Sequence, residues 1–179
     1  MTWPVVALAG DRPIDVERST LHIHVGKAGL FSTAGHEHWV SVPIEHGSID
    51  DEEPPHIAFT IAADKLTVEP DAGLSNAQQT EIQRTMQEKV LESRKFPEIS
   101  FRSSSIDKTG DDSWTVRGEL SLHGQTHPVS TVVRKQHGRF FGQCRIRQTD
   151  FGIQPVRVVG GTVKVKNELE INFTIVPST

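Results

Sequence analysis

The chain has 179 residues, 35% of them hydrophobic, and carries 19 basic against 23 acidic side chains for a net charge of −4. That length amounts to one domain, and a domain of this size buries roughly 70% of its unfolded surface, enough for a core without covalent staples. No basic run offers an electrostatic footing for nucleic acid. The single Cys144 excludes an intrachain disulfide and a multi-cysteine metal site, and no stretch approaches the roughly 18 apolar residues of a membrane span.

In chain order, residues 1–15 read as an extended N-terminal segment of a single domain spanning 1–179. Its opening, "MTWPVVALAGDRP", has a short apolar run without the basic flank of a secretory signal. A cytoplasmic protein, or one met in its mature form, fits that start. "TLHIHV" then alternates, with Leu21, Ile23 and Val25 on one face and His22 and His24 on the other. "TAGHEHWV" adds His36 and His38, of the same parity as Val40, Val42 and Ile44. The acidic "DDEEPP" at 50–55 reads as a solvated turn. Ile57, Phe59 and Ile61 alternate in "HIAFTI".

Residues 75–95, "SNAQQTEIQRTMQEKVLESRK", break the period of two. They lack Gly and Pro and are rich in helix formers. Ser75 and Gln78 have the spacing of a capping box, Ile82, Met86, Val90 and Leu91 form an apolar stripe that packs on the sheet, and Pro97 follows. Alternation then resumes in "PEISF", "WTVRGELSL", "FFGQCRIR" and "VKVKNELEINFTIV". Short turn sequences at 108–113, 123–128 and 135–139 separate such runs as hairpins do, and "VVGGT" at 158–162 reads as a further turn or bulge. The whole is about eight half-wet antiparallel strands with one helix, which suits a small closed barrel or a sandwich.

An eight-stranded barrel either encloses one ligand or is filled by its own side chains, and alternation alone does not separate the two. If the barrel is hollow, an inner face of Leu, Ile, Val, Phe and Trp favours an apolar, elongated guest.

Several stretches resemble one family. "VLESRKFPEISFRSSSI" (90–106) is similar to the helix end and following strand of the YceI-like polyisoprenoid-binding proteins, and "VRGELSLHGQTHPV" (116–129) to their Gly-x-Leu hairpin. "IRQTDFGI" (146–153) resembles their Arg-x-x-Phe-Gly-Ile segment with one residue more, and "VKVKNELEINF" their last strand. The first third departs from the family pattern, reading "ERSTLHIHVGKAGLFSTAGHEH". The resemblance implies a lipocalin-like antiparallel eight-stranded barrel with an α-helix packed alongside. It implies non-enzymatic binding, sequestration or transport of a polyisoprenoid or fatty-acid-like ligand, with no required cofactor. It also implies a periplasmic or secreted location and pairing as a homodimer. The expected wall includes Leu21, Ile23, Phe59, Phe101 and Trp114, then Val116, Phe140, Ile146, Phe151 and Phe173, with His36 and His38 as head-group contacts.

The histidines open an alternative in another class. Two imidazoles at i and i+2 on a strand point the same way and clasp one ion, so His22, His24, His36 and His38 together would supply a metal site or a metal-dependent enzyme. Parity opposes this, since the first pair faces out and the second in, unless a bulge at Gly35 reverses it. His123 and His127 flank a turn and are expected at the surface, and Cys144 reads as a small buried hydrophobe. No Gly-x-Ser-x-Gly elbow or phosphate-cradling loop is present. A filled barrel acting as an interaction module is the third reading.

Overall fold

The computed structural model describes residues 11–28, 37–52, 54–158 and 163–178. Strands β1 (Arg12–Pro13), β2 (Thr20–Val25), β3 (Lys27–Ala28), β4 (His38–Ser41), β5 (His46–Asp50), β6 (His56–Ala62) and β7 (Thr67–Val68) precede helix α1 (Asn76–Thr85). Strands β8 (Glu98–Gly110), β9 (Ser113–Leu122), β10 (Gln125–Gln136), β11 (Arg139–Arg147), β12 (Arg157–Val158), β13 (Val163–Val165) and β14 (Glu168–Ile175) follow it. The main sheet runs β1-β5-β6-β8-β9-β10-β11-β14-β2-β4-β7, while β12, β13 and β3 form a small second sheet.

The main sheet is antiparallel and curls into a half-barrel whose sides the chain ties together. β4 pairs with β2 and β5 with β6, yet only residues 42–45 lie between β4 and β5. Pro43, with no N–H for a ladder, sits in that bend. Counted as one bent run, β4 and β5 complete eight long strands with β2, β6, β8, β9, β10, β11 and β14. The N-terminal segment adds a second tie. β1 pairs with β5, and just beyond it Ile14 bridges Pro177, with Asp15 N donating to Val176 O at 2.8 Å.

Opposed residues in antiparallel strands share a face, and the register stacks apolar residues accordingly. Leu21 faces Phe173, Ile23 faces Ile171, Leu169 faces Ile146, and Phe59 faces Phe101. One slip is built in. The β8–β9 register shifts between Ser103 and Ser105, so Phe101 and Ile106, an odd number of residues apart, both reach the inner face. Two hairpins turn on His-Gly pairs with both residues at positive φ, His123 (52°) with Gly124 (74°) and His137 (50°) with Gly138 (73°). That is the two-residue turn whose twist matches the flanking strands.

The capping box forms as expected: Ser75 Oγ accepts from Gln78 N and the Gln78 side chain accepts from Ser75 N. The helix is shorter than the 75–95 expectation. α1 ends at Thr85, a single π-helical turn spans Met86–Val90, and Glu92 takes a left-handed φ of 45°. The widened turn drops Leu91 into the core, so the helix stops well before Pro97. The expected turn at 158–162 lies largely outside the described residues.

Candidate functional site

The inner faces enclose a cavity of ≈ 210 Å³. Leu21 and Ile23 of β2, Phe59 of β6 and Phe101 of β8 line it on one side. Trp114 and Val116 of β9, Phe140 and Ile146 of β11 and Phe173 of β14 line it on the other. Trp114 meets Phe140 edge-on with centroids 6.0 Å apart, and Phe59 and Phe101 lie 5.5 Å apart.

Three inward positions that break the alternation are glycines, and each lies beneath a wall phenylalanine. A Cβ at Gly47 would come within 2.7 Å of Phe59 Cβ, one at Gly118 within 2.6 Å of Phe101 Cζ, and one at Gly142 within 2.7 Å of Phe173 Cζ. At Gly118 and Gly142 the atoms met are those of the Phe101 and Phe173 rings, which lie against the bare backbone, whereas Gly47 also meets Ile14 Cδ1.

The two ends differ. Val90 and Leu91 from the helix end, with Gln148 and Ile153 from the turn after β11, close one. Gln148 is 3% exposed, and its Nε2 donates to Lys166 O at 2.8 Å. The other end carries the charge. Asp50, Asp51 and Pro55 line it, so the acidic 50–55 stretch is not a wholly solvated turn. The Asp51 side chain, 24% exposed, accepts from Lys135 Nζ at 2.6 Å and from Arg12. Partial burial pushes its carboxyl upward, but the hydrogen bond and charge of Lys135 and the charge of Arg12 outweigh that and hold it below its ordinary value. This ion triad spans the mouth from β1 and from the β5–β6 loop to the end of β10.

Cys144 also lines the cavity, and desolvation there raises its thiol above the ordinary value, against a smaller lowering from hydrogen bonding by the Arg145 backbone. Phe151, expected in the wall, lies outside the lining. It is 1% exposed in the short helical turn Gln148–Phe151, with the His127 ring edge-on at 5.2 Å. His123, expected at the surface, is mostly buried. Its ring packs on Phe96 at 4.3 Å, Nε2 meets Glu92 at 2.8 Å and Nδ1 meets Phe151 O at 3.2 Å. It pins the β9–β10 turn to the helix end.

Among the described residues, His22 and His24 do not share a face with His38. His22 and His24 lie on the outer face, where His22 Nδ1 meets Glu69 at 2.6 Å and His24 Nε2 meets Glu37 at 3.1 Å. The His24 ring also lies 4.8 Å from that of Trp39. His38 stands opposite Val25, of the same parity as Val40, on the inner face and outside the cavity lining. His36 lies outside the described residues.

A family model described as the YceI-like domain matches residues 13–176. A UPF0312 protein of Vibrio cholerae is 30% identical over 91 residues, 45% of this chain and 47% of the relative. One from Vibrio vulnificus is 27% identical over 122 residues, 62% of this chain and 63% of the relative. The matches thus span about half to two thirds of these relatives. Among solved structures, Burkholderia cenocepacia BcnA shares the fold with a TM-score of 0.61 at 17% identity, covering 92% of this chain and 99% of its own. A polyisoprenoid binding domain from Saccharophagus degradans, described as implicated in plant cell wall breakdown, superposes with a TM-score of 0.62 at 13% identity, covering 93% and 96%.

Proposed function

This chain belongs to the YceI-like family, and on that premise we propose that its barrel binds the apolar tail of a long lipid, such as a polyisoprenoid or a related amphiphile, without catalysing a reaction. The observation that carries this reading is the cavity, walled by aliphatic and aromatic side chains, with the charged lining groups, Asp50 and Asp51, at one end. Each methylene that leaves water there contributes roughly 0.8 kcal/mol, less the cost of ordering the chain and of association. The description of the Saccharophagus domain supports the choice of tail.

The volume sets how much of the tail is held. By the measure on which a cavity of roughly 150 Å³ holds benzene, ≈ 210 Å³ holds roughly eight carbons. The end of the chain therefore sits inside, and the remainder and head group pass the Asp51 end or displace wall side chains. Sequestration or transport of the cargo, action in the periplasm or outside the cell, and pairing as a homodimer belong to the same family reading.

Native mass spectrometry after incubation with polyprenols of graded length tests the proposal. One lipid per chain is expected, and Cys144 in the wall should label more slowly with a thiol reagent once a tail is bound. No adduct, with Cys144 labelling unchanged, would remove the reading.

A further inference from the structure

Away from the apolar wall, Asp11, Asp50 and His56 bring metal-ligating groups together, each offering a donor atom within 4.8 Å of the others. They come from separate segments of one sheet. Asp50 stands directly opposite His56 in the β5–β6 pair. The β1–β5 register, with Arg12 opposite Ile49, carries Asp11 to the level of Asp50. The sheet itself thus sets carboxylate, carboxylate and imidazole in a row on one face. The Asp11 side chain is 5% exposed and also accepts from Ser48 Oγ at 3.4 Å.

His56 shows what completes the row. Its Nδ1 lies 3.3 Å from Pro54 O, and its Nε2 meets the Asp11 carboxylate. Both partners only accept hydrogen bonds, and a neutral imidazole has a single N–H to donate. As it stands, Nε2 and the Asp11 carboxylate share a proton; with Nδ1–H on the carbonyl, the arrangement usual for a metal-bound histidine, the Nε2 lone pair would be free to ligate a divalent ion that displaces that proton. We propose that Asp11, Asp50 and His56 bind one divalent transition-metal ion, with Zn²⁺ the best fit to one imidazole nitrogen and two carboxylate oxygens. Ca²⁺ and Mg²⁺ prefer all-oxygen shells with more ligands. Three protein ligands leave a zinc coordination position for water or a ligand atom. The row has the parity opposite to Ile49 and Ile57, which line the cavity, so the ion would sit on the outer face of the sheet beside the charged end of the tube. The site is separate from His22 and His24 and does not depend on what the cavity holds.

The test is calorimetric titration of the chelator-stripped full chain with ZnCl₂, with MgCl₂ as the second probe. One Zn²⁺ per chain is expected, with Mg²⁺ much weaker. His56→Gln and Asp50→Asn should each weaken Zn²⁺ binding by about tenfold or more, and the double variant His22→Ala/His24→Ala should leave it unchanged. Circular dichroism checks that the variants fold. In the parent chain, Co²⁺ absorption and the imidazole NMR signals of His56 on Zn²⁺ addition report the ligands without any substitution. Absence of stoichiometric Zn²⁺ in the parent, with a proton alone beside Nε2, overturns the assignment. So does binding undiminished in His56→Gln, an unmoved His56 signal, or binding lost in the His22/His24 variant.

Discussion

Gly124 and Gly138 occupy the same position in equivalent two-residue turns, at φ of 74° and 73°, yet their surroundings differ. A Cβ at Gly138 meets nothing within 4 Å, whereas one at Gly124 lands 2.7 Å from the Phe96 ring, which packs on His123. Gly138→Ala should therefore cost only the left-handed backbone penalty, about 1 kcal/mol. Gly124→Ala should cost a further 1–3 kcal/mol or so, the usual range for overpacking. Denaturant unfolding of the two variants side by side isolates the clash; equal losses would show that Phe96 moves aside freely. Both turns were legible as Gly-containing breaks between alternating runs. The burial of His123 was not, because its partners Glu92, Phe96 and Phe151 lie 27 or more positions away along the chain.

At the scale of the element, the helix was legible from Ser75, Gln78 and the apolar stripe, but what fastens it to the barrel was not. Gln79, Gln83 and Gln87 recur every four residues and reach across to the 63–69 backbone. Gln79 Nε2 donates to Glu69 O at 2.9 Å, Gln83 Nε2 to Leu66 O at 2.9 Å, and Gln87 Nε2 to Leu66 O at 3.0 Å. Gln83 Oε1 also accepts from Val68 N at 2.8 Å. These amides satisfy polar groups along the outermost strand, β7, that a sheet edge leaves open. Glutamine is an ordinary residue on a wet helix face, so its period carries no apolar signal; only the i, i+4 repetition marks it. Gln83→Ala leaves the Val68 N–H without its partner, while Gln87 still donates to Leu66 O, and a loss of about 1–3 kcal/mol is expected. The exposed Glu88→Ala on the same helix should change stability by less than about 0.5 kcal/mol. Equal effects in thermal unfolding would mean that water replaces the amide.

For the whole molecule, the strand pattern announced about eight antiparallel strands, as a barrel or a sandwich, and the family resemblance implied the barrel, but neither announced its hollowness. A filled and an empty barrel share the same alternation. Gly118 and Gly142, whose bare positions receive the Phe101 and Phe173 rings, show how the wall is packed, and that match needs the strand register. The same holds for the mouth, where residues 12, 51 and 135 meet only once the sheet has curled. The Arg12–Asp51–Lys135 triad gives the fold a pH dependence whose sign follows from Asp51. Its carboxyl is held below the ordinary 3.8 in the folded chain, so the unfolded chain takes up the proton first as pH falls. The stability this contributes is complete above about pH 5 and is lost as pH drops through the folded value. Asp51→Asn should therefore lower the melting temperature near neutral pH, where it leaves Arg12 and Lys135 facing each other without their shared carboxylate. The difference from the parent should narrow steadily below about pH 4. High salt should narrow the same gap at neutral pH, because the triad is partly open to solvent. Melting curves of parent and variant between pH 2 and 7 read this directly. A gap that stays constant with pH would locate the acid sensitivity elsewhere and leave the mouth held by β1 pairing with β5 and by the Ile14–Pro177 bridge.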